Sequence, residues 1–246
     1  MHKLSNSDND NDLASLSVND SSMQILSSGD KKSIRKITRL NEEFKTKIST
    51  VFDFTLIYIE KLKNAGILLP DIYDAYFTED KLVFECEYVG ENILHCLNPE
   101  SFSETIKNKQ IFPFIFDCLK NAQNADINFD PHPKNYVLQD GYLTYVDFTP
   151  PWYQDYYELR IETASNPSEK SVLKDFFECF HPSNIGYHLG GDMLKMNPLL
   201  EDKLPLLFDE LLKEGIVSGS YENFIERAKE IKRREILREE SEFYLL

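Results

Sequence analysis

Asp130, Asn135 and Asp147 fall within one stretch, INFDPHPKNYVLQDGYLTYVDFTPP (residues 127–151), and their types suit the handling of a phosphate group through a hard cation. Two carboxylates and a carboxamide offer the oxygen ligands that Mg2+ accepts alongside water and phosphate oxygens. A carboxylate left free of the metal can orient an attacking hydroxyl and take its proton. Phosphoryl transfer needs little more, because positioning and charge stabilisation supply most of its catalysis. Between YVLQ (136–139) and YLTYV (142–146) stands Asp140-Gly141, a dipeptide favoured in two-residue type I′ turns. With that turn, Gln139 faces Tyr142, and counting back sets Asn135 near Val146. The Pro-stiffened loop Asp130–Asn135 and Asp147 should then meet at the open end of the hairpin. Strands lie about 4.8 Å apart, so one cation or phosphate can touch all three residues. Strict alternation would point Asn135 and Asp147 to opposite faces, but both stand at strand ends, where the ladder stops.

The elements that must position this hairpin follow from periodicity. Met23–Leu26 and Ser33–Thr38 read as short strands around a Ser-Ser-Gly-Asp turn at 27–30. A helix is expected over 41–64, because Phe44, Ile48, Val51, Phe52, Leu56, Ile59 and Leu62 recur at three- and four-residue spacing before Asn64 and Gly66. Leu82, Phe84, Cys86 and Tyr88 alternate with Val83, Glu85, Glu87 and Val89, giving a strand paired with 71–77 across the turn 78–80. Helices are expected at 92–97 and at 112–125, with Pro113 in the first turn of the latter. The charged segment 221–241, including IKRREILREESE, reads as a solvated helix. The order of elements predicts an α+β protein of two unequal lobes that join near Gly90: a polar mobile tail at 1–20, an N-terminal lobe at 21–89 and a mainly helical C-terminal lobe at 90–246.

The segment Asn128-Phe129-Asp130-Pro131-His132-Pro133-Lys134-Asn135, followed by Asp147-Phe148-Thr149, resembles the catalytic core of the protein-kinase-like superfamily. It is most similar to the aminoglycoside and small-molecule phosphotransferase branch, which carries H-G-D-x-H-x-x-N and then D-F-G. That resemblance implies a two-lobed kinase-like fold with a reduced N-terminal lobe, and ATP with Mg2+ held between the lobes. Asp130 would be the catalytic base, with Asn135 and Asp147 as the Mg2+ ligands. Ser33-Ile34-Arg35-Lys36-Ile37 resembles the strand whose lysine grips the nucleotide phosphates, so Lys36 is the candidate, with Arg35 and Lys32 as rivals. Asp53, or Glu60 beyond it, would be the acidic partner of that lysine. Glu87-Tyr88-Val89-Gly90 resembles the hinge, where the backbone of Glu87 and Val89 would meet adenine. This chain departs from the family pattern in having no Gly-rich run before Lys36, Thr149 in place of the D-F-G glycine, and Asn128 in place of the first histidine. The resemblance implies transfer of the γ-phosphate to a hydroxyl of a small molecule. The alternative is a pseudokinase that binds nucleotide or a protein partner without catalysis.

Composition narrows the remaining classes. There are 42 acidic against 27 basic side chains, a net charge of −15, which opposes binding to nucleic acid or an anionic membrane. No apolar run reaches the roughly 18 residues of a membrane span, and the polar, acidic N-terminus is unlike a signal peptide. The expected location is cytoplasmic. Cys86, Cys96, Cys118 and Cys179 show no zinc-type spacing and read as buried thiols. His132 reads as a loop brace, and His181 and His188, without ligand spacing to other metal-type residues, as structural or surface groups. The run Pro150-Pro151-Trp152-Tyr153, with Tyr156 and Tyr157, either lines a substrate pocket or packs on the C-terminal helices.

Overall fold

The computed structural model describes residues 14–16, 23–28, 32–40, 42–97, 100, 102–107, 111–164 and 166–240. Most of the segment expected as a tail, and part of the 27–30 turn, lie outside them. The chain is α+β and divides into two units, one built from residues up to 48 and 71–88, the other from 49–70 and 89–245.

The first unit is an antiparallel sheet. Strands β1 (Ala14–Leu16), β2 (Met23–Ser27), β3 (Ser33–Arg39), β4 (Ile72–Phe77) and β5 (Lys81–Glu87) lie in the order β1-β2-β3-β5-β4. The three residues of β1, expected within the tail, instead pair with β2 from Ala14 against Ser27. Both expected strand pairs form, and β3 joins them through β5, with Ile34 opposite Cys86, Lys36 opposite Phe84 and Thr38 opposite Leu82. These residues share one face by the two-residue period of a strand, and Lys36, Thr38, Leu82, Phe84 and Cys86 on it are buried. On the other face Arg35 pairs with Glu85 at 2.8 Å.

The helix expected over 41–64 is divided into α1 (Glu42–Lys45) and α2 (Ile48–Asn64), with a turn in which the Lys47 N–H donates to the Phe44 carbonyl. Nearly all of α2, read from the sequence as part of the N-terminal lobe at 21–89, belongs to the second unit, to which the chain returns at Val89. The reason lies in what its buried stripe touches. Tyr58, fully buried, donates to the backbone oxygen of Asn128 at 2.9 Å, and Phe54 packs edge-on against Tyr153. Just beyond the helix, the Leu68 carbonyl accepts the Tyr145 N–H.

The rest of the second unit comprises α3 (Phe102–Lys107), α4 (Phe112–Asn124), the hairpin β6 (Tyr136–Gln139) and β7 (Tyr142–Tyr145), then α5 (Gln154–Thr163), α6 (Pro167–Cys179), α7 (Ile185–Met196), α8 (Leu204–Lys213) and α9 (Tyr221–Glu240). Residues 93–96 make a single 3-10 turn, capped by the Asn92 side chain, where a short helix was expected. Helix α4 carries Pro113 in its first turn as expected and buries Phe112, Ile115, Phe116 and Leu119. The aromatic run after Asp147 is packed: Trp152 lies 4.2 Å from the Phe180 ring centroid, and Trp152, Tyr153 and Tyr156 are all buried.

Helix α7 is buried along ten consecutive residues, 185–194, because α9 covers it closely. A Cβ at Gly191 would stand 2.9 Å from the Ala228 carbonyl oxygen and 3.1–3.2 Å from Ile231. Backbone of α9 cannot yield as a flexible side chain would. Gly191→Ala should therefore destabilise the fold by about 1–3 kcal/mol through overpacking, reduced by the roughly 0.5–1 kcal/mol that alanine gains over glycine in a helix. Urea denaturation checks this, and an unchanged or raised midpoint would show that α9 can move away.

No helix among the described residues is long and apolar enough to cross a membrane. Cys86, Cys118 and Cys179 are buried free thiols, and burial pushes Cys86 up to about 11 and Cys118 and Cys179 up to about 12. Such thiols carry too little thiolate to be reactive.

Candidate functional site

The hairpin forms in the register its turn dictates. Gln139 faces Tyr142 and Tyr136 faces Tyr145, while Asp140 and Gly141 take φ of 52° and 83°, the left-handed pair of a type I′ turn. One step past the last strand pair, the Val146 N–H donates to the Asn135 carbonyl at 2.8 Å. Asn135 and Asp147 are thus neighbours at the open end, Asn135 buried and Asp147 half-buried.

The loop before the hairpin is held from several sides. Phe129 donates its N–H to the Phe180 carbonyl and buries its ring against Tyr145, 4.3 Å between centroids. The Asn128 carbonyl accepts the Tyr58 hydroxyl, and its side-chain amide donates to the Phe177 carbonyl at 3.1 Å. Within the loop, Asp130 Oδ1 accepts the His132 N–H, His132 Nδ1 accepts the Lys134 N–H, and the His132 carbonyl accepts the Asn135 N–H. His132 is therefore a brace, its ring kept neutral by burial and by Lys134, which lower its pKa well below the ordinary value. Tyr58→Phe removes a buried donor and strands the Asn128 carbonyl. It should cost about 1 kcal/mol, read as a lower thermal midpoint, and no change would mean that water replaces the hydroxyl.

Asp130 has its pKa raised, first by burial; His188 and Lys134 pull it back, and the charges of Asp147 and Glu235 push it further up. The other expected residues are distributed between the units. Lys36 is buried on β3 of the sheet, where its charge acts on Cys86. Glu87 ends β5 with its N–H on the Asp71 carbonyl, and Val89 begins the second segment of the helical unit. Asp53 is exposed on α2 in the helical unit, where its charge acts on Tyr153.

A second set of charged groups stands behind Asp130. His188 Nε2 lies 3.6 Å from Asp192 Oδ1 and 3.6 Å from Glu235 Oε1, and Lys195 Nζ lies 2.8 Å from Glu235 Oε2. His188, Asp192 and Glu235 are all buried, Asp192 completely. One ligand-type atom from each of Asp130, His188 and Asp192 falls within 4.8 Å of the others. Burial opposes a charge on His188, but Asp192, Glu235 and Asp130 together carry its pKa up to about 9. Burial also drives Asp192 well above the carboxylate range, against the pull of His188.

This corrects two readings of the sequence. His188 does have ligand spacing, to Asp192 at i,i+4 on one helix face, and Glu235 within IKRREILREESE is turned inward. The signal for the first was a histidine and an aspartate four apart in an otherwise apolar helix. Glu235 continues the stripe of Phe224, Ala228 and Ile231 at helical spacing, which its charge concealed. No protein-family model matches the chain, and no curated protein matches it.

Proposed function

We propose that the chain is an ATP- and Mg2+-dependent phosphotransferase of protein-kinase-like, two-lobed architecture, acting on a hydroxyl of a small molecule. The observation that carries this reading is the closure of the hairpin by the Val146–Asn135 hydrogen bond, which sets Asn135 and Asp147 side by side with Asp130 in the field of Asp147. The donor set fits Mg2+ by its chemistry, being a carboxamide and a carboxylate with no soft ligand. The amide nitrogen of Asn135 is buried without a hydrogen-bond partner, and its oxygen is the atom that would meet the cation.

Asn135 and Asp147 would hold the cation, and Asp130 would accept the hydrogen bond of the acceptor hydroxyl and then its proton. The raised pKa of Asp130 favours that second role, because a base works best when its pKa approaches the working pH. Lys36 would steady the α- and β-phosphates, and the backbone of Glu87 and Val89 would meet adenine. Bound MgATP supplies the phosphoryl group, and the protein supplies alignment and charge. A pseudokinase is the second reading, favoured by the absence of a Gly-rich run ahead of Lys36 to cradle phosphates.

Thermal melting with ATP, with and without Mg2+, tests the proposal. Ligand at 100 times its dissociation constant stabilises a fold by about 2.7 kcal/mol. A Mg2+-dependent rise supports the site, and transfer of labelled γ-phosphate to one of a panel of alcohols then separates enzyme from pseudokinase. A melting point unmoved by saturating MgATP would end the phosphotransferase reading.

A further inference from the structure

We propose that Asp130, His188, Asp192 and Glu235 bind one divalent ion of the Zn2+ class, which ties the Asp130 loop to α7 and α9. The site leaves the Asn135–Asp147 pair aside and shares Asp130 with the phosphotransfer reading, on which it does not rest.

Three observations converge on it. The first is spacing. Zinc bonds nitrogen and oxygen ligands at about 2.0–2.2 Å, so neighbouring ligand atoms of a tetrahedral site stand roughly 3.4 Å apart. His188 Nε2 is 3.6 Å from both Asp192 Oδ1 and Glu235 Oε1, too long for hydrogen bonds and close to that edge length. Asp130, His188 and Asp192 each place one ligand-type atom within 4.8 Å of the others, and Glu235 joins them through its approach to His188.

The second is an unmet need. Asp192 is 0% exposed, and neither of its carboxylate oxygens has a hydrogen-bond partner. Buried carboxylates are paired or coordinate metals, because the isolated group is far too costly to desolvate. The third is charge. The three carboxylates are offset by Lys195, which holds Glu235 Oε2 and so presents Oε1 to the cluster, in the manner of the outer groups that orient metal ligands. With all three carboxylates ionised and an imidazolium at His188 the set is one charge negative, whereas a divalent ion with neutral His188 balances it. One imidazole among carboxylate oxygens suits zinc better than Mg2+ or Ca2+, which prefer oxygen alone.

Because His188 and Asp192 are buried, the ion would enter as the chain folds, and its binding would be part of folding. The full chain is therefore expressed in minimal medium supplemented with Zn2+ or with Co2+, purified without chelator, and analysed by metal mass spectrometry. The expected result is a single ion per chain, and in the Co2+ preparation visible absorption bands of tetrahedral type. Asp192→Asn and Glu235→Gln should each retain at least about tenfold less metal, while Asp147→Ala retains it in full. Should Asp192→Asn fail to fold, Glu235→Gln and the Co2+ spectrum of the unaltered chain still decide. Metal-free protein from both media, or Asp192→Asn and Glu235→Gln binding as much metal as the unaltered chain, overturns the proposal. The cluster would then be neutralised by protons. Neither result touches the Mg2+-dependent response to ATP, so this inference and the proposed function fail separately.

Discussion

Asp147→Ala is expected to abolish the Mg2+-dependent rise in melting temperature that ATP should give the unaltered chain. Asp147 stands two residues past the end of β7, next to the Val146 that bonds Asn135, and is half-buried. A cation held at this end of the hairpin would lose its carboxylate ligand in the variant and keep only the neutral Asn135. The wild-type response, about 2.7 kcal/mol at 100 times the dissociation constant, corresponds to roughly 5–11 °C for a chain of this size. Each protein serves as its own control, because the response is the difference between liganded and unliganded melts. Any change in intrinsic stability from the substitution therefore cancels. A variant that kept the whole response would place the cation away from Asp147. Asn135→Ala should weaken the response less, since a carboxylate contributes more to a hard cation than a neutral carboxamide does.

Phe129→Ala should cost about 3–5 kcal/mol, the usual range for emptying a buried phenylalanine site, and lower the melting temperature by roughly 6–20 °C. Phe129 is completely buried, with its ring 4.3 Å from that of Tyr145 and 6.3 Å from that of Tyr136, and its N–H is tied to the Phe180 carbonyl. It immediately precedes Asp130, so the cavity opens directly under the loop that carries the candidate base. The substitution should therefore weaken the response to MgATP as well as stability. Phe129→Leu fills most of the volume and should cost no more than about 1.5 kcal/mol. Guanidinium denaturation distinguishes the cases, with a lower midpoint at constant slope marking lost stability alone. A cost under about 1 kcal/mol for Phe129→Ala would mean that the loop collapses onto the hairpin and that the Phe129 packing does not hold it.

What the amino-acid sequence determined by itself was local. Asp140-Gly141 dictated the type I′ turn, the turn dictated the Gln139–Tyr142 pairing, and that pairing carried through to the Val146–Asn135 contact. The alternation in β5 and the period of α4 were equally legible, because strand and helix periods follow from backbone geometry and neighbouring residues. The partners of buried faces were decided only by the tertiary structure. The apolar stripe of α2 announced burial but not that it would pack with the helical unit, a choice made by Tyr58 and Phe54 finding Asn128 and Tyr153 far along the chain. The same holds for the charged cluster. His188 and Glu235 lie far apart in sequence and are brought together by the approach of α9 to α7, which Gly190 and Gly191 permit, while Asp130 reaches His188 from the loop before the hairpin. Nothing in IKRREILREESE marks Glu235 as the acid turned inward, since residues of that run are both exposed and buried and their charges look alike until a partner helix covers one face. Turn and period are written in adjacent residues, whereas the convergence of distant polar groups is set by how the whole chain packs.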